Sequence, residues 1–527
     1  MFSKRICAVL NEKFHFAVKS IFLSLIMLTF SFSQEVVELN LPNSNKVVIK
    51  LMFTNGSISD PAGREGLTQL TSSLITQGGT GELSFSDIQD KIYPMAASYS
   101  SSVDKEVTIF TFSVHEDWLD EFYPILQGLI LNPSFAESDF ERVKANQQNY
   151  VDQVVKASSD EEYSKMTLED LLFRGINYQH MVNGRSGSVK SITPDDVKNH
   201  YKNFFTKNNL MIGIAGNYAA EFLEMLKKDM AILPGTQPDI PNAPRIEMPK
   251  GVNVEIISKD GAFGSAIFTG FPIDITRSND EFAALMVANS YLGEHRKSYG
   301  QLYQKIREIR SMNYGDYSYI EWYDNGGGNM LPPPGVPRHS NYFSLWIRPV
   351  QIAKQLKMQY EELKDVKIGH ALFALKMAIR EVDKIVNEGM SQEDFEATRD
   401  FLKSYMKLYI STPSTQLGYL MDSRFYGRKD YINEMDKLLS KLTLEDVNNT
   451  VKKYLQVDNM NIAIVTDVSE AESLAEALRN NEYSPMSYSN LVKENLPEDV
   501  LTEDEEVANY KLNVNSVKII NSEDTFK

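Results

Sequence analysis

Hydrophobic positions along the chain switch between two spacings. Residues 35–54 alternate apolar and polar side chains as strands do, with VVIKLMF at 47–53, and Asn55-Gly56 marks a turn. Leu67, Leu70, Leu74 and Ile75 then fall at helical spacing within 63–78, and a two-residue period returns over 94–114. Residues 117–131 read as a helix closed by Asn132-Pro133. Ser138-Asp139 reads as the cap of a long helix reaching about residue 156. The order then repeats. Strands are predicted over 254–272, helices over 279–292 and 299–311, strands from Tyr314 to Tyr323 and from Tyr342 to Ile347, and helices over 368–388 and 391–410.

One stretch is duplicated. SITPDDVKNHYKNFFTKNNLMIGIAGN at 191–217 aligns without a gap to KLTLEDVNNTVKKYLQVDNMNIAIVTD at 441–467, 250 positions later. Thr193, Asp196, Val197, Asn199, Lys202, Asn209, Ile212 and Ile214 meet identical residues at Thr443, Asp446, Val447, Asn449, Lys452, Asn459, Ile462 and Ile464. Each copy reads as a capped amphipathic helix followed by a buried strand. Asp139-Phe140-Glu141 likewise recurs as Asp394-Phe395-Glu396, again opening a long helix. The period is that of a domain, far longer than a solenoid repeat. The fold class that follows is α+β: two homologous domains, each a mixed or antiparallel sheet with helices packed on one side. Their expected bounds are 34–235 and 254–480. A proline-rich linker over 236–253 joins them, and an acidic tail follows over 481–527. Its run of acids from Glu498 to Glu506 reads as a solvated linker, and Tyr510 to Ile520 as a strand that docks at a sheet edge.

Residues 1–33 read as a signal peptide. Lys4, Arg5, Lys13 and Lys19 precede the apolar run Ile21–Phe30, and Ser31-Phe32-Ser33 offers a cleavage site before Gln34. The alternative is an uncleaved leader that anchors the chain to a membrane, since no later stretch is long and apolar enough to span one. The sole cysteine, Cys7, lies in this leader, so the chain beyond it has no disulfide, thiol nucleophile or thiolate metal site. Export to a periplasm is the expected location. The net charge is −17, and about −20 once the basic leader is removed, which argues against nucleic acid and anionic membranes as partners.

Few residues offer chemistry. Seven histidines include no His-x-x-Glu-His or His-x-x-His pairing, and no Gly-x-Ser-x-Gly elbow occurs. His115, His200 and His295 each stand alone and read as structural. The loop NGGGNMLPPPGVP at 325–337 lacks the Gly-Lys-Ser/Thr ending of a phosphate cradle and reads as a mobile surface loop.

The sequence order nevertheless resembles one family. Asn55-Gly56-Ser57, Asp60-Pro61, Gly66-Leu67 and a helix ending Gln77-Gly78-Gly79-Thr80 are similar to the opening of the pitrilysin/insulinase-type zinc peptidases. LILNPSF at 129–135, the DFER helix, the 191–217 paragraph and the proline-rich linker extend the resemblance over roughly residues 36–470. The family places an inverted zinc motif, His-x-x-Glu-His, on the first helix. Two histidines four apart share a helix face and bind zinc, while the glutamate activates water. The matching residues here are Gln69, Ser72 and Ser73, none of them a usual zinc ligand. The third ligand, a glutamate, should fall near Gln147–Tyr150, where Asn149 and its neighbours supply no acid. The family's arginine and tyrosine, seven residues apart in the second half, match Arg307 and Tyr314 in Ile306-Arg307-Glu308-Ile309-Arg310-Ser311-Met312-Asn313-Tyr314.

The resemblance therefore implies a non-catalytic, substrate-binding subunit of a secreted heteromeric zinc peptidase. Arg307 and Tyr314 would hold peptide carbonyls and support an oxyanion in trans. No cofactor is expected in this chain. Zinc would reside on a homologous partner carrying His-x-x-Glu-His, and the substrate would be a peptide or unfolded protein. The alternative is a catalytically dead peptide-binding or scaffold protein of the same fold. An independent hydrolase has no residue pattern in its favour.

Overall fold

A computed structural model describes residues 34–321 and 333–526. The leader lies outside the described residues, as do most of the 325–337 loop and the end of the strand predicted to reach Tyr323.

In the first half, β1 (Glu35–Asn40), β2 (Lys46–Phe53), β3 (Ser98–Val103), β4 (Thr108–His115) and β5 (Leu210–Gly216) form one sheet in the order β1-β5-β2-β4-β3. β2 runs antiparallel to β4 and β5, and β3 antiparallel to β4. The helices that matter here are α1 (Leu67–Gln77), α2 (Leu119–Leu131), α3 (Glu137–Asn149), α4 (Asp160–Leu172) and α5 (Pro194–Phe204). α3 continues into a π-helical turn, Tyr150–Val154. Its start differs from the sequence reading. Ala136 is the N-cap, and Asp139 accepts from the Gly79 N–H at 3.1 Å and from Arg142 at 2.8 Å.

In the second half, β6 (Val252–Lys259), β7 (Ser265–Ile273), β8 (Asp316–Tyr319), β9 (Asn341–Val350), β10 (Met460–Asp467) and β11 (Val514–Asn521) are ordered β11-β6-β10-β7-β9-β8. The first sheet's order recurs strand for strand, with β11 added outside β6. β10 and β11 lie parallel to β6 and the other pairs are antiparallel, so this sheet is mixed. The helices of this half include α6 (Phe282–Gly293), α7 (Ala371–Asn387), α8 (Gln392–Tyr409), α9 (Pro413–Phe425), α10 (Leu444–Tyr454) and α11 (Glu498–Asn509). The segment read as a helix over 299–311 is wound as a π-helical turn over Tyr303–Glu308. Residues 234–249, between the halves, carry no helix or strand.

The duplicated paragraph forms α5-β5 and α10-β10. Thr193 and Thr443 are both N-caps, each closing a capping box with the aspartate three residues on, Asp196 or Asp446. A cap of this kind stabilises its helix by about 1 kcal/mol. Ile212 and Ile214 turn to the first half's own helices, as Ile462 and Ile464 do in the second.

The opposite face of each sheet is also covered, which the sequence reading did not anticipate. α4, from the first half, packs on β7 and β10. α9, from the second, packs on β2 and β5. Leu417 and Met421 of α9 join Val48, Met52, Ile109 and Met211, while Leu168 and Leu172 of α4 join Phe268, Trp346 and Ala463. The duplicated strands are small at the crossing point. Gly213 lies where any Cβ would overlap the Met421 sulfur, and Ala463 holds the matching position beneath α4. Both strands are consequently buried on both faces.

Charge seals the same junction. The fully buried Arg338 guanidinium makes paired bonds to Asp104, at 2.8 and 2.7 Å, and reaches Glu169 of α4 at 2.5 Å. Just before it, the Gly335 N–H donates to the Asp422 carboxylate of α9 and Val336 is buried. The described end of the 325–337 loop is therefore anchored, contrary to its reading as a mobile surface segment.

The acidic run also departs from its reading as a solvated linker. It forms α11, whose Glu503 and Asp504 are mostly buried in ion pairs with the second half.

Candidate functional site

α1 carries the positions where the inverted motif would lie. It starts at Gly66, which has φ 93° and is pressed against the Asn183 backbone; a side chain there would be both strained and obstructed. The buried Asp60 carboxylate holds the helix start. It accepts from the N–H groups of Gly66 at 2.7 Å and Thr68 at 2.8 Å, and from the Thr68 hydroxyl at 2.6 Å. His180 Nε2 stands 3.3 Å from the same carboxylate, and His200 Nε2 is 2.9 Å from Thr68 Oγ1. Burial pushes the His200 imidazole down to about 4, against the pull of Asp60, so it is neutral near pH 7. This cluster is closed to solvent and seats the helix. His180 was not singled out by the sequence, because nothing local distinguishes it.

On α1, Gln69 and Ser73 face each other one turn apart. The Gln69 amide donates to Ser73 Oγ at 2.9 Å. Ser72, which the sequence resemblance sets against the water-activating glutamate, is fully buried and donates to the Gln69 carbonyl at 3.1 Å. Near the third-ligand position, Gln147 is buried and its amide donates to the carbonyls of Gly66 and Asn183, both at 2.9 Å. Gln148 donates to Asp152 at 2.8 Å. Asn149 is exposed at the end of α3, where the π-helical turn begins. Amides and hydroxyls without a thiolate, imidazole or carboxylate do not suit zinc. Among the described residues, no group of three or more His, Cys, Asp or Glu side chains is placed to hold a metal ion.

Arg307 and Tyr314 lie in the other half, on either side of a tight turn. The π-helical turn carries Arg307, whose guanidinium pairs with Glu308 and stacks on the Tyr303 ring at 4.9 Å. π-turns of this kind are frequent at functional sites. Asn313 then builds the turn. Its amide donates to Asp316 at 2.8 Å and to the Arg348 carbonyl at 3.0 Å, while its carbonyl accepts from the Gly315 N–H at 3.0 Å. Burial raises the Asp316 carboxyl well above its usual range. The turn leaves Tyr314 78% exposed, its ring 5.9 Å from the Arg348 guanidinium. Arg348 is itself fixed by Glu161 of α4 at 3.0 and 3.1 Å. These contacts serve Arg307 and Tyr314 separately from α1. Arg348 and Glu161 escaped the sequence reading because they meet only through the exchanged helix.

The lone histidines are structural. His115 accepts from the Asp117 N–H at 3.2 Å. His295 shares a 2.5 Å hydrogen bond with Tyr319 beside Tyr317 and Trp346.

A duplicated α+β chain, with no metal-binding side chain at the positions that the sequence resemblance sets against the inverted motif, defines a peptidase-like class. Residues 35–180 match the model for Insulinase (Peptidase family M16), and residues 191–402 match that for the Peptidase M16 inactive domain. The chain belongs to the M16, or insulinase, peptidase family. It is similar to the non-peptidase homolog YmxG of Helicobacter pylori, at 21% identity covering 80% of this chain and 88% of that one. It is also similar to the uncharacterized zinc protease YmxG of Bacillus subtilis, at 19% identity covering 80% and 93%. The crystal structure of a peptidase M16 inactive domain from Pseudomonas fluorescens shares the fold, with a TM-score of 0.70 and 18% identity over 83% of this chain and 96% of that one.

Proposed function

We propose that this chain is the non-catalytic, substrate-binding subunit of an exported zinc peptidase. It presents Arg307 and Tyr314 to a zinc site on a homologous partner carrying His-x-x-Glu-His. The observation that carries this reading is the contrast between the two halves. The ligand positions on α1 are satisfied by one another, whereas the exposed Tyr314 phenol is left at the tip of a turn built beneath it by Asn313 and Asp316. A guanidinium and a phenol suit peptide carbonyls and a developing oxyanion. The H. pylori relative named a non-peptidase homolog supports the loss of hydrolysis in this chain. The periplasm is the proposed location, with the leader either removed or retained as an anchor.

The pairing of Arg307 with Glu308 favours the second reading, a peptide-binding or scaffold protein, because it neutralises the guanidinium in the isolated chain. Reconstitution with the zinc-bearing homologue separates the two. Under the subunit reading, Arg307→Ala and Tyr314→Phe each lower kcat of the pair by about 10²-fold without dissociating it, in line with the loss of one oxyanion donor. An unchanged rate overturns the subunit reading and leaves the scaffold.

A further inference from the structure

Arg307 sits between two cations that are not free. Lys305, two residues before it, meets Glu503 of α11 at 2.8 Å. Arg310, three residues after it, meets Glu503 at 2.9 Å and Asp504 at 2.6 Å, and its side chain is completely buried. Arg310 also donates to the Lys305 carbonyl at 2.7 Å, bracing the π-helical turn from within. Tyr488 donates to Asp504 at 2.8 Å, and Arg380 and Lys384 of α7 approach Glu503 at 3.3 and 3.6 Å.

α11 is fastened in turn. The buried Lys376 ammonium donates to the carbonyls of Glu482 at 2.6 Å and Ala508 at 2.9 Å, gripping both ends of the segment that carries the helix. Beyond α11, β11 pairs with β6 from Val252 to Ser258. The chain end then reaches α4, where Tyr163 donates to the Ser522 carbonyl at 3.0 Å and stacks near Phe526. The tail therefore runs from the Arg307 turn to the helix whose Glu161 fixes Arg348 beside Tyr314.

We infer that the C-terminal tail is a positioning element for Arg307, with Glu503 and Asp504 as its positioning residues. They hold the π-helical turn in the register that turns Lys305 and Arg310 inward and Arg307 to the surface. A π-turn is less favourable than an α-turn of the same residues and persists where its surroundings over-determine it. Partly buried, multiply bonded ion pairs supply that constraint. The inference rests on the reading of Arg307 as a substrate-facing group.

Two measurements on the full chain test it, using Glu503→Gln/Asp504→Asn and the milder Glu503→Gln, each checked for intact folding by circular dichroism. In hydrogen exchange, amides of 303–312 exchange at least about 10-fold faster in the variants while those of β10 are unchanged, as local opening predicts; unaltered exchange at 303–312 overturns the inference. In the reconstituted pair, Glu503→Gln lowers kcat in the native background and has no further effect in an Arg307→Ala background. A further loss there shows that the tail acts on something other than Arg307 and also overturns it. If Arg307→Ala alone leaves the rate unchanged, the subunit reading has failed and its positioning corollary falls with it. The exchange result then still decides whether the tail holds the turn.

Discussion

The Gln69 amide donates to Ser73 Oγ at 2.9 Å, so the two side chains that the proposal sets against the family's paired histidines satisfy each other. An amide and a hydroxyl in that bond compete with a metal on poor terms. The purified chain, exchanged into metal-free buffer and then offered equimolar zinc, should retain far less than one zinc per chain by elemental analysis. Stoichiometric zinc, with peptidase activity lost to a chelator, would sink the proposal.

Arg338 gives the largest single stability effect expected. Its guanidinium is wholly buried between Asp104 and Glu169, so Arg338→Met leaves the Asp104 carboxylate buried without a cation and Glu169 with Lys105 alone, at 3.7 Å. Breaking such a pair costs about 3–5 kcal/mol, whereas Arg338→Met with Asp104→Asn, which leaves the Lys105–Glu169 pair in place, should recover much of it. Urea denaturation of the single and double variants measures both. A loss below about 1 kcal/mol in the single variant contradicts this account.

Where α9 crosses β5, volume changes of opposite direction at two touching positions should both destabilise. Met421→Ala opens a cavity above Gly213 and should cost about 2–5 kcal/mol. Gly213→Val overfills the same spot and should cost about 1–3 kcal/mol. Combining Met421→Ala with Gly213→Ala should be less harmful than the sum, because each relieves the other. Strict additivity in thermal melts speaks against the contact.

Two carboxyls give pH dependences of opposite direction. Against burial, which raises it, Lys305 and Arg310 bring the Glu503 carboxyl down to about 2 from an ordinary 4.5. Its stabilisation is complete above about pH 4.5 and is lost as pH falls toward 2, so Glu503→Gln should destabilise the chain at pH 7 and match the parent near pH 2. Glu294 behaves in the reverse way. Burial pushes it up to about 7, so the folded chain keeps a proton that the unfolded chain releases. Its contribution is full below about pH 4.5 and is lost as pH rises through 7. Glu294→Gln should therefore raise stability at pH 8 relative to the parent and do so much less at pH 5. Identical pH profiles for parent and variants in chemical denaturation would refute both assignments.

Local signals carried the sequence reading where structure is local. The capping boxes at Thr193/Asp196 and Thr443/Asp446 were legible because cap and partner lie three residues apart, and the strands after them because their apolar residues are continuous. The residue types at Gln69, Ser72 and Ser73 were legible, whereas the bond that joins Gln69 to Ser73 needed the helix. What escaped depends on distant partners. The acids of α11 look like a solvated run until Arg310 and Lys305, nearly 200 positions away, are seen opposite them. α4 and α9 were not marked as bridging elements, since a helix pressed between a sheet and its own half shows no single apolar stripe. Asp139 was misread as part of a cap because its true acceptor role, toward Gly79, is set by the neighbouring helix end.

The exchange of α4 and α9 has a consequence for any attempt to divide this chain. Severed at the proline-rich segment, each fragment would keep a complete sheet with one apolar face stripped of its cover: Val48, Met52 and Met211 on one, Phe268, Trp346 and Ala463 on the other. Each would also carry a bridging helix with nowhere to lie. Such pieces aggregate singly, yet their needs are reciprocal, so co-produced halves should find each other and rebuild the whole without a covalent link. The duplication has thus made two look-alike parts into mutual obligates, and the peptide between them is a tether of convenience.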